Sequence, residues 1–112
     1  MSKGYLIAFV KMTNEDDFKT NYSAKVADVF AQFEGTFIVL TGSTSHHEGR
    51  QFDRHVIVEF PSLAKATQAI ESPEYKAIKP HRINNSDAEY GSFMLVPGGE
   101  LLSFLCIFFL TK

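Results

Sequence analysis

Apolar positions along this chain follow two rhythms, one of period two and one of period three to four, and their order predicts the architecture. From Gly4 to Lys11, Tyr5, Ile7 and Phe9 alternate with Leu6, Ala8 and Val10, so both faces of this strand are apolar and it belongs inside a sheet. The rhythm then changes. In "TNEDDFKTNYSAKVADVFAQFEG", Phe18, Tyr22, Val26, Val29, Phe30 and Phe33 fall three or four apart and share one helical face. Thr13 or Asn14 can cap its start, Glu15, Asp16 and Asp17 oppose the positive end of its dipole, and Gly35 is a natural stop.

"TFIVLTG" and "RHVIVEF" predict the second and third strands, both rich in β-branched residues. In the third, His55, Ile57 and Glu59 point one way and Val56, Val58 and Phe60 the other. The polar stretch "GSTSHHEGRQFD" between them is a long hairpin loop or a ragged strand extension. Ser62 is placed to cap a second helix with Leu63, Ala66, Ala69 and Ile70 inward, and Ser72-Pro73 repeats the signal for a short third helix. Pro80 is expected to end that helix near Lys79, leaving His81 and Arg82 at its exit. "SFMLV" supplies the fourth strand.

The order β-α-β-β-α-β, with an extra helical segment before the last strand, predicts an α+β, ferredoxin-like sandwich: a four-stranded antiparallel sheet with its helices on one face. The other face stays apolar and uncovered. Pairing two copies through these open faces is the economical cover, so the expected assembly is a homodimeric α/β barrel.

Composition narrows the function. A chain of 112 residues, 45% of them apolar, suits one domain with one core. A formal charge of -2 from interspersed charges supplies no basic field, so nucleic acid is not an expected partner. The lone Cys106 allows no internal disulfide, and "MSKGYLIAFVKM" lacks the features of a secretory signal, which together predict a cytoplasmic protein.

Four residues are candidates for a site. Glu59 interrupts an apolar strand and needs a partner, with Arg82 first in line and Arg54 or a tyrosine hydroxyl as alternatives. Tyr75 and Arg82 stand two turns apart, about 10 Å along a helix if it continues, and can together hold an acidic or phenolic ligand. His81 adjoins them. The histidines do not form a metal set: His46 and His47 point to opposite faces in an extended chain, His55 and Glu59 are about 13 Å apart along their strand, and no zinc-ligand spacing is present. "VPGGE" lacks the lysine and hydroxyl of a phosphate loop, so neither metal nor cofactor is expected.

"KGYLIAFVKMTNEDDFKTNYSAKVADVFAQFEGTFIVLTG", "HEGRQFDRHVIVEFPS" and "SPEYKAIKPHR" together resemble the DUF1330 family of the dimeric α/β-barrel superfamily, over residues 3 to 97. The resemblance implies a ferredoxin-like protomer that dimerises and no established activity; structural relatives include antibiotic-biosynthesis monooxygenases. The family-like domain is expected to occupy residues 1–97, and residues 98–112 depart from the pattern as an apolar extension. Leu101 to Leu110 are apolar apart from Ser103, but ten helical residues span only about 15 Å and cannot cross a bilayer unaided, so an extra strand or helix packed on the dimer is expected of them ahead of a membrane-touching or partner-binding tail.

The functional expectation is a homodimer that admits a small organic molecule to an apolar pocket in each protomer, with Arg82, Tyr75, Glu59 and His81 as polar lining. Two rivals are a small cofactor-free enzyme, monooxygenase- or isomerase-like, acting on an aromatic or hydroxy-acid substrate, and a structural or protein-interaction dimer. A ligand site needs a cavity of about 300 Å³ or more with convergent polar groups. A brace needs Arg82 fully used on Glu59 or on backbone carbonyls.

Overall fold

The computed structural model describes residues 2–98; the expected apolar extension, from residue 99 onward and including Cys106, lies outside the described residues. Strands β1 (Gly4–Val10), β2 (Thr36–Thr41), β3 (Arg54–Phe60) and β4 (Ser92–Pro97) form one sheet in the order β2-β3-β1-β4. Every neighbouring pair is antiparallel, and β1, apolar on both sides, is central. The helices are α1 (Glu15–Phe18), α2 (Ala24–Ala31), α3 (Leu63–Glu71) and α4 (Pro73–Asn84). This is the α+β, ferredoxin-like arrangement expected from the strand and helix order.

Period-two alternation sorts the strands onto two faces. Leu6, Ala8 and Val10 of β1 and Val58 and Phe60 of β3 are buried under the helices, with Val58 and Phe60 at 0% exposure. Phe93 and Leu95 of β4 join them through their pairing with Ala8 and Leu6. Tyr5, Ile7 and Phe9 point to the opposite, helix-free face, together with His55, Ile57 and Glu59.

The serine caps form as the sequence predicts. Ser62 Oγ accepts from Lys65 N and Ser72 Oγ from Tyr75 N, both at 3.1 Å, each serine satisfying an amide that the first turn leaves orphaned. Ala66 and Ala69 are fully buried, and the small helix face allows close approach: a Cβ on Gly4 would lie 2.5 Å from Leu63 Cα. Leu63 itself, expected inward, is exposed, because its backbone rather than its side chain rests on β1.

Two helices depart from expectation. The first is not uniform: between α1 and α2, Lys19–Ser23 form a π-helical turn. Phe18, Tyr22 and Val26 are spaced four apart, and on a straight α-helix each such step drifts about 40° around the axis. The widened turn absorbs that drift and keeps all three buried. The helix ends in a Schellman pair, Gly35 N to Phe30 O and Glu34 N to Ala31 O, with Glu34 in the left-handed conformation at φ 63°.

The second departure is α4, which runs through Pro80 to Asn84 instead of stopping at Lys79. Pro80 and Lys76, the residue whose carbonyl it leaves without an amide, are both exposed, so the missing bond falls on the solvent side of the helix, where it costs least. The far end is held by other bonds. Asn85 Nδ2 donates to His81 O, Ser86 Oγ donates to Arg82 O, and Asn85 O accepts from Thr13 N and Asn14 N.

Candidate functional site

Because the small residues of α3 sit close on the sheet while the π turn and α2 carry large ones, the helix layer stands off the sheet at one end and leaves a cavity of about 340 Å³. Leu6, Ala8 and Val10 of β1 form its floor, and Phe18, Tyr22, Val26 and Phe30 its roof. Phe37, Val56 and Phe93 complete the apolar walls. Exposed Lys19, Ser23, Ala27 and Leu40 ring the mouth. Leu40 reaches that position through a bulge between Phe37 and Val39, which restores it to the face of Val56 while Ile38 is left exposed.

The polar groups of the cavity are donors. Arg82, Arg54 and Lys19 supply three cations, Tyr22 and Ser23 supply hydroxyls, and no carboxylate is among the lining side chains. Lys19 is already paired with Glu15 at 2.6 Å, a bond that also holds the Glu15 carboxyl below its ordinary range. Arg54 donates from Nη1 to the Asp53 carbonyl at 2.9 Å. Arg82 has no ion pair among the described residues: its Nε donates to Tyr75 Oη at 3.1 Å, and its guanidinium lies over the Phe93 ring, 4.0 Å from the centroid.

The continuation of α4 brings Tyr75 and Arg82 together over two turns, as their spacing allows. Tyr75, 1% exposed, does not itself line the cavity. Its ring stacks between Phe30 and Phe93, at 5.4 and 6.1 Å, and its hydroxyl meets the Tyr22 hydroxyl at 2.8 Å. Burial, and then the neighbouring Tyr75 hydroxyl, push the Tyr22 pKa well up, so Tyr22 is a neutral donor.

Glu59 does not join this group. Strand alternation puts it on the helix-free face, with the sheet between it and Arg82, where it accepts from Lys3 Nζ at 2.9 Å and Tyr5 Oη at 3.2 Å. The tyrosine alternative supplies one of its partners, and Lys3 the other. The Lys3 hydrogen bond holds the Glu59 carboxyl below its ordinary range and raises the Lys3 ammonium. His81 does not line the cavity either; it directly follows the exposed Pro80, and its carbonyl accepts from Asn85 Nδ2 one turn on. Among the described residues no three His, Cys, Asp or Glu side chains come together as a metal set.

Tyr22 and Arg54 are the lining residues that the sequence reading passed over. Tyr22 is counted there as part of an apolar stripe, although it is the one member of Phe18, Tyr22, Val26, Val29, Phe30 and Phe33 that carries a hydroxyl. Arg54 is weighed only as a partner for Glu59, yet it shares strand parity with Val56, Val58 and Phe60 and so belongs to the covered face.

The sheet order and the sheltered, donor-lined cavity define a ferredoxin-like α+β protein with a pocket under its helix layer. The chain belongs to the family described as "Domain of unknown function (DUF1330)", which matches residues 3–98. Solved structures with this fold include RPA0582, a protein of unknown function from Rhodopseudomonas palustris, at 17% identity and a TM-score of 0.68, covering 85% of this chain and 81% of that one. SnoaB from Streptomyces nogalater, a cofactor-independent oxygenase, is similar at 15% identity and a TM-score of 0.56, covering 88% of this chain and 94% of its own. An EthD family protein from Bacillus halodurans aligns at 13% identity and a TM-score of 0.54, covering 86% and 97%. At these identities the likeness is one of fold. No curated protein matches the chain. No helix among the described residues is long and apolar enough to cross a membrane.

Proposed function

We propose that this protein is a cytoplasmic homodimer that binds a small organic anion, an aromatic or hydroxy-acid compound, in the apolar cavity of each protomer. The observation that carries the reading is Arg82: an always-charged guanidinium at the wall of a cavity of about 340 Å³, with no carboxylate partner among the described residues. A buried ion pair would have made Arg82 a brace. Instead, among the described residues only its Nε makes a side-chain hydrogen bond, and both Nη groups are available to a ligand oxygen. The apolar floor and roof supply area for a hydrocarbon or aromatic body, and the cations at one side favour negative charge at its end.

Calorimetric titration with 1-naphthoate tests this. The wild type is expected to bind, and Arg82→Ala to bind roughly 10- to 100-fold more weakly while staying folded, since a hydrogen bond to a charged group is worth about 1.5–3 kcal/mol. Equal affinity in the two proteins would remove Arg82 from the site.

A second reading is a cofactor-independent oxygenase. It is supported by the fold shared with SnoaB and by the tyrosine pair beside an apolar cavity. Oxygen uptake with a phenolic substrate such as 1-naphthol, without added metal or flavin, checks it; no uptake above the protein-free rate sets it aside.

A further inference from the structure

Three hydrogen-bonding groups stand in line at the polar side of the cavity: Arg82 Nε, Tyr75 Oη and Tyr22 Oη, separated by 3.1 and 2.8 Å. Their protons admit one order that leaves none stranded away from the cavity. Arg82 Nε is only a donor, so the Tyr75 oxygen accepts from it. Tyr75 is 1% exposed, and the only other group its hydroxyl meets among the described residues is Tyr22. Were Tyr22 to donate to Tyr75, the Tyr75 proton would be buried with no acceptor, a loss of about 1–3 kcal/mol. Tyr75 therefore donates to Tyr22. The Tyr22 proton is then left without an acceptor among the described residues, on a side chain that lines the cavity.

We infer that Tyr22 is the specificity-determining donor of the cavity, its proton directed at the ligand by the chain Arg82 to Tyr75 to Tyr22, so that the site selects compounds with an acceptor oxygen at the end of an apolar body. The inference rests on the ligand-binding reading above and adds to it the residue that reads the oxygen. Arg82 supplies charge, which any anion satisfies at a distance; Tyr22 supplies a single directional bond. Tyr75 is a positioning residue, since it acts only by fixing which way Tyr22 donates. Burial keeps Tyr22 protonated across the ordinary pH range, so the donor is always present. A site built to give a hydrogen bond discriminates strongly against an analogue that cannot receive it. The π turn matters here because it holds Tyr22 on the buried stripe at the place where the roof meets Tyr75.

The test compares 1-naphthoate with 1-methylnaphthalene, which fills similar space and offers no acceptor, on wild type, Tyr22→Phe and Arg82→Ala. Tyr22→Phe is expected to weaken 1-naphthoate about 10-fold or more and to leave 1-methylnaphthalene unchanged. Tyr75→Phe is expected to lose part of the same selectivity. If wild type binds 1-naphthoate and Arg82→Ala weakens it, yet Tyr22→Phe binds both probes as wild type does, the Tyr22 assignment is overturned and the anion-binding cavity stands. If wild type binds neither probe, or only 1-methylnaphthalene, the anion-binding reading itself fails, and the assignment with it. Should Tyr22→Phe not fold, 3-fluorotyrosine at position 22 keeps the shape and strengthens the donor; tighter 1-naphthoate binding supports the assignment and unchanged binding overturns it.

Discussion

Along β1, Leu6, Ala8 and Val10 disappear beneath the helices, while Tyr5, Ile7 and Phe9, each one residue away, remain partly exposed on the other side of the same sheet. The two faces are nearly equal in apolar content and very different in fate. On the covered face, aromatic rings lock the helices to the strands: Phe30 packs edge-on to Phe60 at 5.7 Å and stacks on Tyr75 at 5.4 Å. On the open face, Ile7, Phe9 and Ile57 lie beside Met94, and Phe52 from the long loop stacks on Phe9 at 5.4 Å without covering the rest. One face spends its apolar area within the protomer, and the other keeps it available. The difference assigns the cavity to the first face and the proposed dimer contact to the second.

The largest expected effect falls on the covered face. Phe60 is fully buried, and its ring lies so close to Gly35 that a Cβ there would meet it at 2.7 Å. Phe60→Ala is expected to destabilise the protomer by about 3–5 kcal/mol, measured by urea denaturation. A loss under about 1 kcal/mol would mean that the two faces are equivalent in packing after all.

A charge on the open face should act differently. Ile57→Asp is expected to leave the protomer folded, with normal circular dichroism, and to halve the mass seen by sedimentation, because two copies cannot bury a carboxylate pair at their seam. A dimer that survives Ile57→Asp would place the contact elsewhere on the molecule. Unfolding on the scale of Phe60→Ala would show that the open face belongs to the protomer core.

Much of this division is legible in the sequence. The alternation in "RHVIVEF" already separates Arg54, Val56, Val58 and Phe60 from His55, Ile57 and Glu59, and applied consistently it parts Glu59 from the covered face. Glu59 and Arg82 do not pair because strand parity puts the carboxylate on the open face, beside Lys3 and Tyr5, while Arg82 lies at the cavity under the helices. The caps at Ser62 and Ser72 are local chemistry, and local chemistry is readable. Three features are not. Whether Pro80 ends α4 depends on its facing water, the bulge that aims Leu40 at the cavity depends on strand register, and the π turn depends on how the roof meets Tyr75. Each depends on which way a residue faces in the assembled fold, and the local pattern alone does not settle that: the spacing of Phe18, Tyr22 and Val26 permits a widened turn without requiring one.

The smallest expected effects separate the faces by pH. On the covered side, burial raises the Tyr22 pKa well above 10.0, so the folded protein holds this proton where the unfolded chain has lost it. Stability from Tyr22 is therefore complete below pH 10.0 and falls as pH rises from there through the folded value; Tyr22→Phe should flatten that alkaline decline. On the open side, the Lys3 hydrogen bond lowers the Glu59 pKa below 4.5, so its contribution is complete above pH 4.5 and falls as pH drops through the lowered value. Glu59→Gln should remove that share of the acid decline and leave the share of Glu15, which is lowered by Lys19. Lys3 complicates the alkaline arm slightly, because its raised pKa adds a solvent-screened loss as pH climbs past 10.5, one that Tyr22→Phe retains and Glu59→Gln abolishes. Urea midpoints measured from acid to alkaline pH on the two variants decide the matter: the covered-face substitution should change the alkaline limb and the open-face one chiefly the acid limb. A Tyr22→Phe protein with an unaltered alkaline limb would mean that Tyr22 is wetted, and the boundary between the two faces would then run through the cavity rather than along the sheet.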